Sequence, residues 1–250
     1  LAPWSGRFGA WRDGSVAPAG NADTRWVGVG GMSALGRMLA EGLDLRRSTR
    51  IAPPVRDGAG WALLSAADAT DATAERVHLG HFDRVLVSAP APQAAPLLAA
   101  APALAAQAAA VPMAPCWTVL LGFAASLDLN WDGLFVNEGP LGWVARDSAK
   151  PGRNQGRDQG RGGEAWVLHT TPEWTRAHLE ATPDAVATVL LEAFAELLGT
   201  PLPALVWQQA HRWLYARAEQ PLDAGCLWDG DLGIGACGDW CADGRIEGAW

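Results

Sequence analysis

Apolar residues in this chain fall mostly into short runs and alternations, with one clear helical stripe. Arg50-Ile51 and Trp61-Ala-Leu-Leu-Ser65 read as short strands around the Asp57-Gly58 turn. Arg84-Val-Leu-Val-Ser-Ala89 reads as a buried strand that stops at Pro90-Ala-Pro-Gln, because proline cannot continue a ladder. Four β-rich runs follow: Trp117-Thr-Val-Leu-Leu-Gly-Phe123, Gly133-Leu-Phe-Val-Asn137, Leu141-Gly-Trp-Val-Ala-Arg146 and Ala165-Trp-Val-Leu-His-Thr170. Their spacing predicts a meander, hence an antiparallel sheet. Leu205–Ala216 continues as an extended segment.

Helical signals punctuate this pattern. Ser33 is placed to cap a helix over roughly 34–42, which Gly42 would end. Residues 93–110 are Ala-rich and helical, broken near Pro102. Thr182-Pro-Asp-Ala opens the strongest helix, with Thr182 as N-cap and Pro183 at its first position. Its stripe is Val186, Val189, Leu190, Ala193, Phe194 and Leu197, and Gly199 ends it. Residues 1–25 are polar and rich in Gly, Pro and Ala, which predicts poor order. Lys150–Gly163 is a polar, Gly-rich loop. Its Lys150, Arg153, Arg157 and Arg161 offer charge to an anionic substrate, although Arg157 and Arg161 read better as solvated loop residues. Strands and helices together predict an α/β (α+β) fold with no internal repeat.

Composition narrows the classes. At 250 residues and 49% hydrophobic, the chain can bury a substantial core. A formal charge of −8 argues against a nucleic-acid partner. No run of 18 apolar residues exists, so no transmembrane helix is predicted. The four cysteines, Cys116, Cys226, Cys237 and Cys241, lack disulfide spacing and fit a reducing cytoplasm. His78 and His81 flank Gly80 in a predicted turn with no third ligand nearby, so no metal is expected. No nucleophile elbow or H-E-x-x-H is present, which disfavours a hydrolase. Two glycine patterns imitate a dinucleotide turn. Gly28-Val-Gly-Gly-Met-Ser33 ends in Ser, and Gly233-Ile-Gly-Ala-Cys-Gly238 runs into Asp-Trp-Cys instead of a helix.

The last sixteen residues carry the strongest signal: Gly235-Ala-Cys-Gly-Asp-Trp-Cys-Ala-Asp-Gly-Arg-Ile-Glu-Gly-Ala-Trp250. With Gly31-Met-Ser-Ala-Leu35, Leu141–Arg153 and Trp166–Thr170, they resemble the amine-oxidase-like FAD oxidoreductases, in particular the bacterial renalase type. The resemblance covers nearly the whole chain. It implies a partial FAD-binding Rossmann-like domain plus an antiparallel sheet roofing the flavin. Residues 1–110 and 216–250 would belong to the first and residues 111–215 to the second. The family's N-terminal G-x-G-x-x-G unit is not found here. The chain is therefore expected to hold the middle and C-terminal parts of such an enzyme.

By the same resemblance, Gly238, Asp239, Arg245, Ile246, Glu247, Gly248 and Ala249 would bind FAD, with Arg50, Ile51 and Pro90 near its adenosine half. Trp143, Arg146 and His169 would face the substrate. A core histidine is the competing reading for His169, and an ion pair with Asp147 or Glu173 for Arg146. No residue is assigned to acid–base catalysis. The implied reaction oxidises dihydronicotinamide isomers of NAD(P)H by hydride transfer to flavin, and O2 reoxidation yields hydrogen peroxide. The alternatives are a relative acting on amines or on porphyrin or carotenoid precursors, and a remnant unable to hold FAD. A single tyrosine rules out a Tyr-built amine cage. The oligomeric state is not legible.

Overall fold

The computed structural model describes residues 1–20, 24–66, 76–153 and 163–245. The first elements are β1 (Ala2–Pro3), β2 (Phe8–Arg12), β3 (Ser15–Pro18), β4 (Trp26–Val27) and α1 (Ser33–Leu39). Next come β5 (Val55–Asp57), β6 (Gly60–Leu64), β7 (His78–Phe82), β8 (Val85–Val87), α2 (Ala91–Leu97) and α3 (Pro102–Ala109). The long strand β9 (Met113–Phe123) leads to β10 (Gly133–Glu138), β11 (Leu141–Arg146) and β12 (Glu164–Thr170). The chain ends with α4 (Pro172–Ala177), α5 (Pro183–Leu198), β13 (Leu205–Ala218), β14 (Cys226–Asp229) and β15 (Ile234–Cys237). This is a mixed α+β fold, with antiparallel and mixed sheets and few helices.

Two compact units divide it. The first comprises residues 1–44 and 115–213, the second residues 45–114 and 214–250. The first 110 residues thus do not stay together as expected. Residues 1–44 join the first unit because β2 pairs in parallel with β10, Phe8 opposite Gly133 and Ala10 opposite Phe135. Nor is the N-terminal segment without structure. β2 and β3 form a hairpin around Asp13 (φ 49°) and Gly14 (φ 78°), a turn with both central residues left-handed.

The first unit is built on a seven-stranded sheet of order β13-β9-β12-β11-β10-β2-β3. β10, β11 and β12 make the expected meander, but β9 lies beside β12 rather than β10. The other edge of β10 is taken by β2. One face of this sheet presents Trp117, Val119, Leu121, Leu134, Val144, Trp166 and Leu168 to α5. Thr182 Oγ1 caps that helix by accepting from the Ala185 N–H at 3.3 Å, and Gly199 (φ 63°) ends it. Its buried residues are Val186, Ala187, Leu190 and Phe194, whereas Val189 of the expected stripe is exposed. Each large side chain buried here contributes about 1.5–3 kcal/mol. The Ser33 helix forms, but Met32 occupies the cap position. Ser33 Oγ instead accepts from Arg37 at 2.8 Å.

The second unit holds two three-stranded sheets, β5-β6-β7 and β14-β15-β8. Trp61, Leu98, Ile234 and Trp240 are fully buried among alanines of α2 and α3. Small alanine side chains let the helices approach closely. The Trp61 indole N–H donates to the Leu232 carbonyl at 3.0 Å. The Asp57-Gly58 hairpin is formed by β5 and β6, and Ile51 adds a single bridge to Ser65. Among the described residues, no helix is long and apolar enough to cross a membrane.

Candidate functional site

Strand alternation decides which side chains in the first unit share a face. Phe135 on β10 stands opposite Trp143 on β11, Trp143 opposite His169 on β12, and His169 opposite Thr118 on β9. This row lies on the sheet face turned away from α5. The Phe135 and Trp143 rings are 4.5 Å apart, and Phe8 stacks 6.3 Å from Trp143. Trp4 meets Phe8 edge-on at 4.8 Å, and together with Val27 and Ala145 it forms a small apolar cluster there.

Cations border these rings. The Arg25 guanidinium lies 4.5 Å from the Phe8 centroid, 5.3 Å from Phe135 and 5.8 Å from Trp143. The Lys150 ammonium sits 5.2 Å over Trp4. Lys150, at 2.9 Å, and Arg153 both bind the same oxygen of Asp147. One carboxylate therefore serves two cations, and among the described residues Arg25 has no carboxylate partner. In a chain of net charge −8, this is a locally positive, aromatic surface. Burial, followed by the Lys150 charge, lowers the His169 pKa from 6.5 to about 4. The imidazole is neutral at pH 7 and presents one donor and one acceptor.

Arg146 does not join this surface. It is three positions along the strand from Trp143, so it points to the opposite face. There it is 7% exposed, with Nε 3.2 Å from Glu164 and 3.6 Å from Asp132. Its Nη2 donates to the Leu127 and Leu129 carbonyls, each at 3.3 Å, and its guanidinium covers Trp166. Neither Asp147 nor Glu173 is its partner. Glu164 accepts from the Leu127 N–H at 2.7 Å and from the Trp166 indole at 3.1 Å. Burial would raise the Asp132 pKa, but hydrogen bonds from Arg7 and the charges of Arg7 and Arg146 hold it below the ordinary carboxylate value. This cluster is an internal clamp that ties the Leu127–Asp132 loop to the sheet.

In the second unit, β15 runs parallel to β8, with Ala236 opposite Val87. Their C-terminal ends lie side by side, the place where open α/β sheets bind ligands. Gly233–Gly238 is thus a turn residue and a strand, not a phosphate loop. The Trp240 indole donates to the Ala89 carbonyl at 3.0 Å and joins the Pro90 turn to Gly238-Asp239. Gly238 has φ 154°, and a Cβ there would meet the Trp240 indole at 2.8 Å. Asp239 opens a 3-10 turn, Asp239–Cys241, and is half-buried. Among the described residues its carboxylate has no hydrogen-bond partner. A partly exposed acceptor at the end of parallel strands can take a hydrogen bond from a ligand hydroxyl.

Arg50 and Ile51 edge the other sheet, where the Arg50 carbonyl accepts from the Ala66 N–H. Arg245 is exposed, and its backbone N–H donates to Asp243 at 3.0 Å. Ile246, Glu247, Gly248 and Ala249 lie outside the described residues, as do Arg157 and Arg161. His78 and His81 lie on β7, where His81 Nδ1 is 3.3 Å from Asp57, and no metal-binding group occurs among the described residues. Arg25 is the site residue that sequence reading missed. Its signal was faint: one arginine beside a tryptophan in a segment read as unstructured.

No protein-family model matches the chain. Its fold is shared by a solved structure described as "Putative protoporphyrinogen oxidase from Exiguobacterium sp. 255-15". The two are 17% identical with a TM-score of 0.61, over 84% of this chain and 46% of that one. The chain therefore spans just under half the length of that protein. At this identity the likeness is one of fold.

Proposed function

We propose that this chain is part of an amine-oxidase-like flavin oxidoreductase of the renalase type, acting in the cytoplasm on dihydronicotinamide isomers of NAD(P)H. The observation that carries the reading is the Phe135–Trp143–His169 row, an apolar shelf ending in a neutral imidazole. Trp143 and Phe135 offer a flat surface for a planar ring and keep water from it. His169 donates to, or accepts from, a carboxamide. Lys150 and Arg153, with one shared carboxylate, attract the phosphates of a dinucleotide. In the second unit, Asp239 would hold a ribityl or ribose hydroxyl of FAD beside the Pro90 turn. Bound FAD supplies the hydride acceptor, which O2 reoxidises. A dihydropyridine expels hydride with little acid–base help.

A second reading has one observation in its favour. The solved structure of like fold is described as a "Putative protoporphyrinogen oxidase", and aromatic rings bordered by Arg25 and Lys150 would also suit a carboxylate-bearing macrocycle.

The test is anaerobic mixing of the FAD-loaded protein with isomerised NADH while the flavin absorbance is followed. Rapid bleaching supports the dihydronicotinamide reading. Bleaching only with a porphyrinogen or an amine supports a sister activity. Failure of the chain to retain FAD rejects the flavin reading for it.

A further inference from the structure

Three of the four cysteines cluster in the second unit, and two stand in register. Cys226 opens β14 and Cys237 closes β15, directly opposite one another across the antiparallel pair. Facing residues in such a pair have Cα atoms about 4.5–5.5 Å apart. A disulfide spans about 4.4–6.8 Å, so the register meets its distance requirement. Both thiols are free, Cys226 exposed and Cys237 half-buried. Cys241 is fully buried, with its thiol donating toward the Ala236 carbonyl at 3.9 Å.

We propose that Cys226 and Cys237 are a redox-reactive dithiol that closes to a cross-strand disulfide under peroxide, with Cys241 as an inert neighbour. The exposed Cys226 thiolate attacks peroxide oxygen, giving a sulfenic acid and hydroxide, which takes up a proton as water. Cys237 then attacks that sulfur, the S–S bond forms, and a second water leaves. Two thiols are oxidised and one hydrogen peroxide is reduced to two waters. Burial, followed by the nearby Cys226, raises the Cys237 pKa, which suits the later, resolving role. Burial and the neighbouring thiols push Cys241 up to about 11, so it stays protonated. Cys237 immediately precedes Gly238-Asp239, so the bond would fix the strand end from which that turn departs. This thiol chemistry does not depend on a bound flavin.

The test treats the purified chain with one equivalent of hydrogen peroxide, alkylates it in denaturant, and maps the peptides without reductant. The expected result is a loss of two hydrogens in mass, a Cys226–Cys237 cross-link, and alkylated Cys116 and Cys241. Cys241→Ser should keep the cross-link. Cys237→Ser should leave a Cys226 sulfenic acid that dimedone traps. A Cys237–Cys241 bridge overturns the proposal, as does sulfinic Cys226 beside an alkylated Cys237, or four unreacted thiols. Circular dichroism of each variant separates loss of reactivity from loss of fold.

Discussion

Trp143 and His169 face each other across β11 and β12, so a tryptophan and an imidazole form a cross-strand pair on the sheet face turned away from α5. The histidine is held neutral there, and this has a consequence for stability. Its folded pKa, about 4, lies below the ordinary 6.5. Between these values the unfolded chain binds more protons. The contribution is present above pH 6.5 and is lost as pH falls toward 4, roughly 3 kcal/mol at about 1.4 kcal/mol per unit. His169→Gln should flatten the urea-unfolding midpoint between pH 6.5 and 4 relative to the parent. Lys150→Met should move the titration only part of the way back, because burial is the larger cause. An unchanged difference between parent and His169→Gln across that range would refute the buried-neutral assignment.

Arg146 belongs to the core, and its replacement should be costly in a way ligand cannot repair. Its loss takes the Arg146 cation from the Glu164 carboxylate, whose side chain is 0% exposed, and breaks a buried ion pair. Breaking a buried ion pair by removing one partner costs about 3–5 kcal/mol. Arg146→Ala should lose about that much in equilibrium unfolding, and adding Glu164→Gln should recover part of it. If Arg146→Ala proved as stable as the parent but bound substrate poorly, the internal clamp would fall and a substrate role would replace it.

The contrast between Trp143 and Arg146 shows what the sequence could and could not disclose. Both were candidate substrate residues, yet their odd spacing on one strand forbids a shared face. That parity is legible in the sequence alone. The partners of Arg146 are not, because Asp132 and Glu164 reach it through sheet order. The β10–β11–β12 meander and the Thr182-to-Gly199 helix follow from local pattern, since caps and turns are local chemistry. The place of β9 beside β12, and of β2 along β10, depends on which strand edge remains free. Asp13-Gly14 is a hairpin signal masked by the polar composition around it. Arg25 becomes visible only once that hairpin segment and the chain around β4 lie on the sheet.

The cofactor role proposed for Asp239 can be tested apart from folding. Its carboxylate supports no other described side chain. Asp239→Asn should therefore leave the stability of the apo chain within about 0.5 kcal/mol of the parent, the usual range for surface changes. FAD retention should weaken roughly 10- to 100-fold, as expected for losing a charged hydrogen bond worth about 1.5–3 kcal/mol. The check is a flavin titration alongside a melt of the apo form. Full flavin occupancy in the variant would remove Asp239 from the cofactor site.

Gly133 is the space into which the aromatic row packs. A Cβ there would lie 2.5 Å from the Trp143 ring and 2.8 Å from Phe8, on the same face as Phe135 and His169. The rings must tilt or the strands part, and overpacking of this kind costs about 1–3 kcal/mol. Gly133→Ala should lose stability in that range and shift the tryptophan emission as Trp143 leaves its contact with Phe135. Gly36, inside α1, is the control, because a Cβ added there would meet nothing within 4 Å. Gly36→Ala should instead gain about 0.5–1 kcal/mol from helix propensity. Equal and small effects at both glycines would mean that the aromatic row is not packed against Gly133.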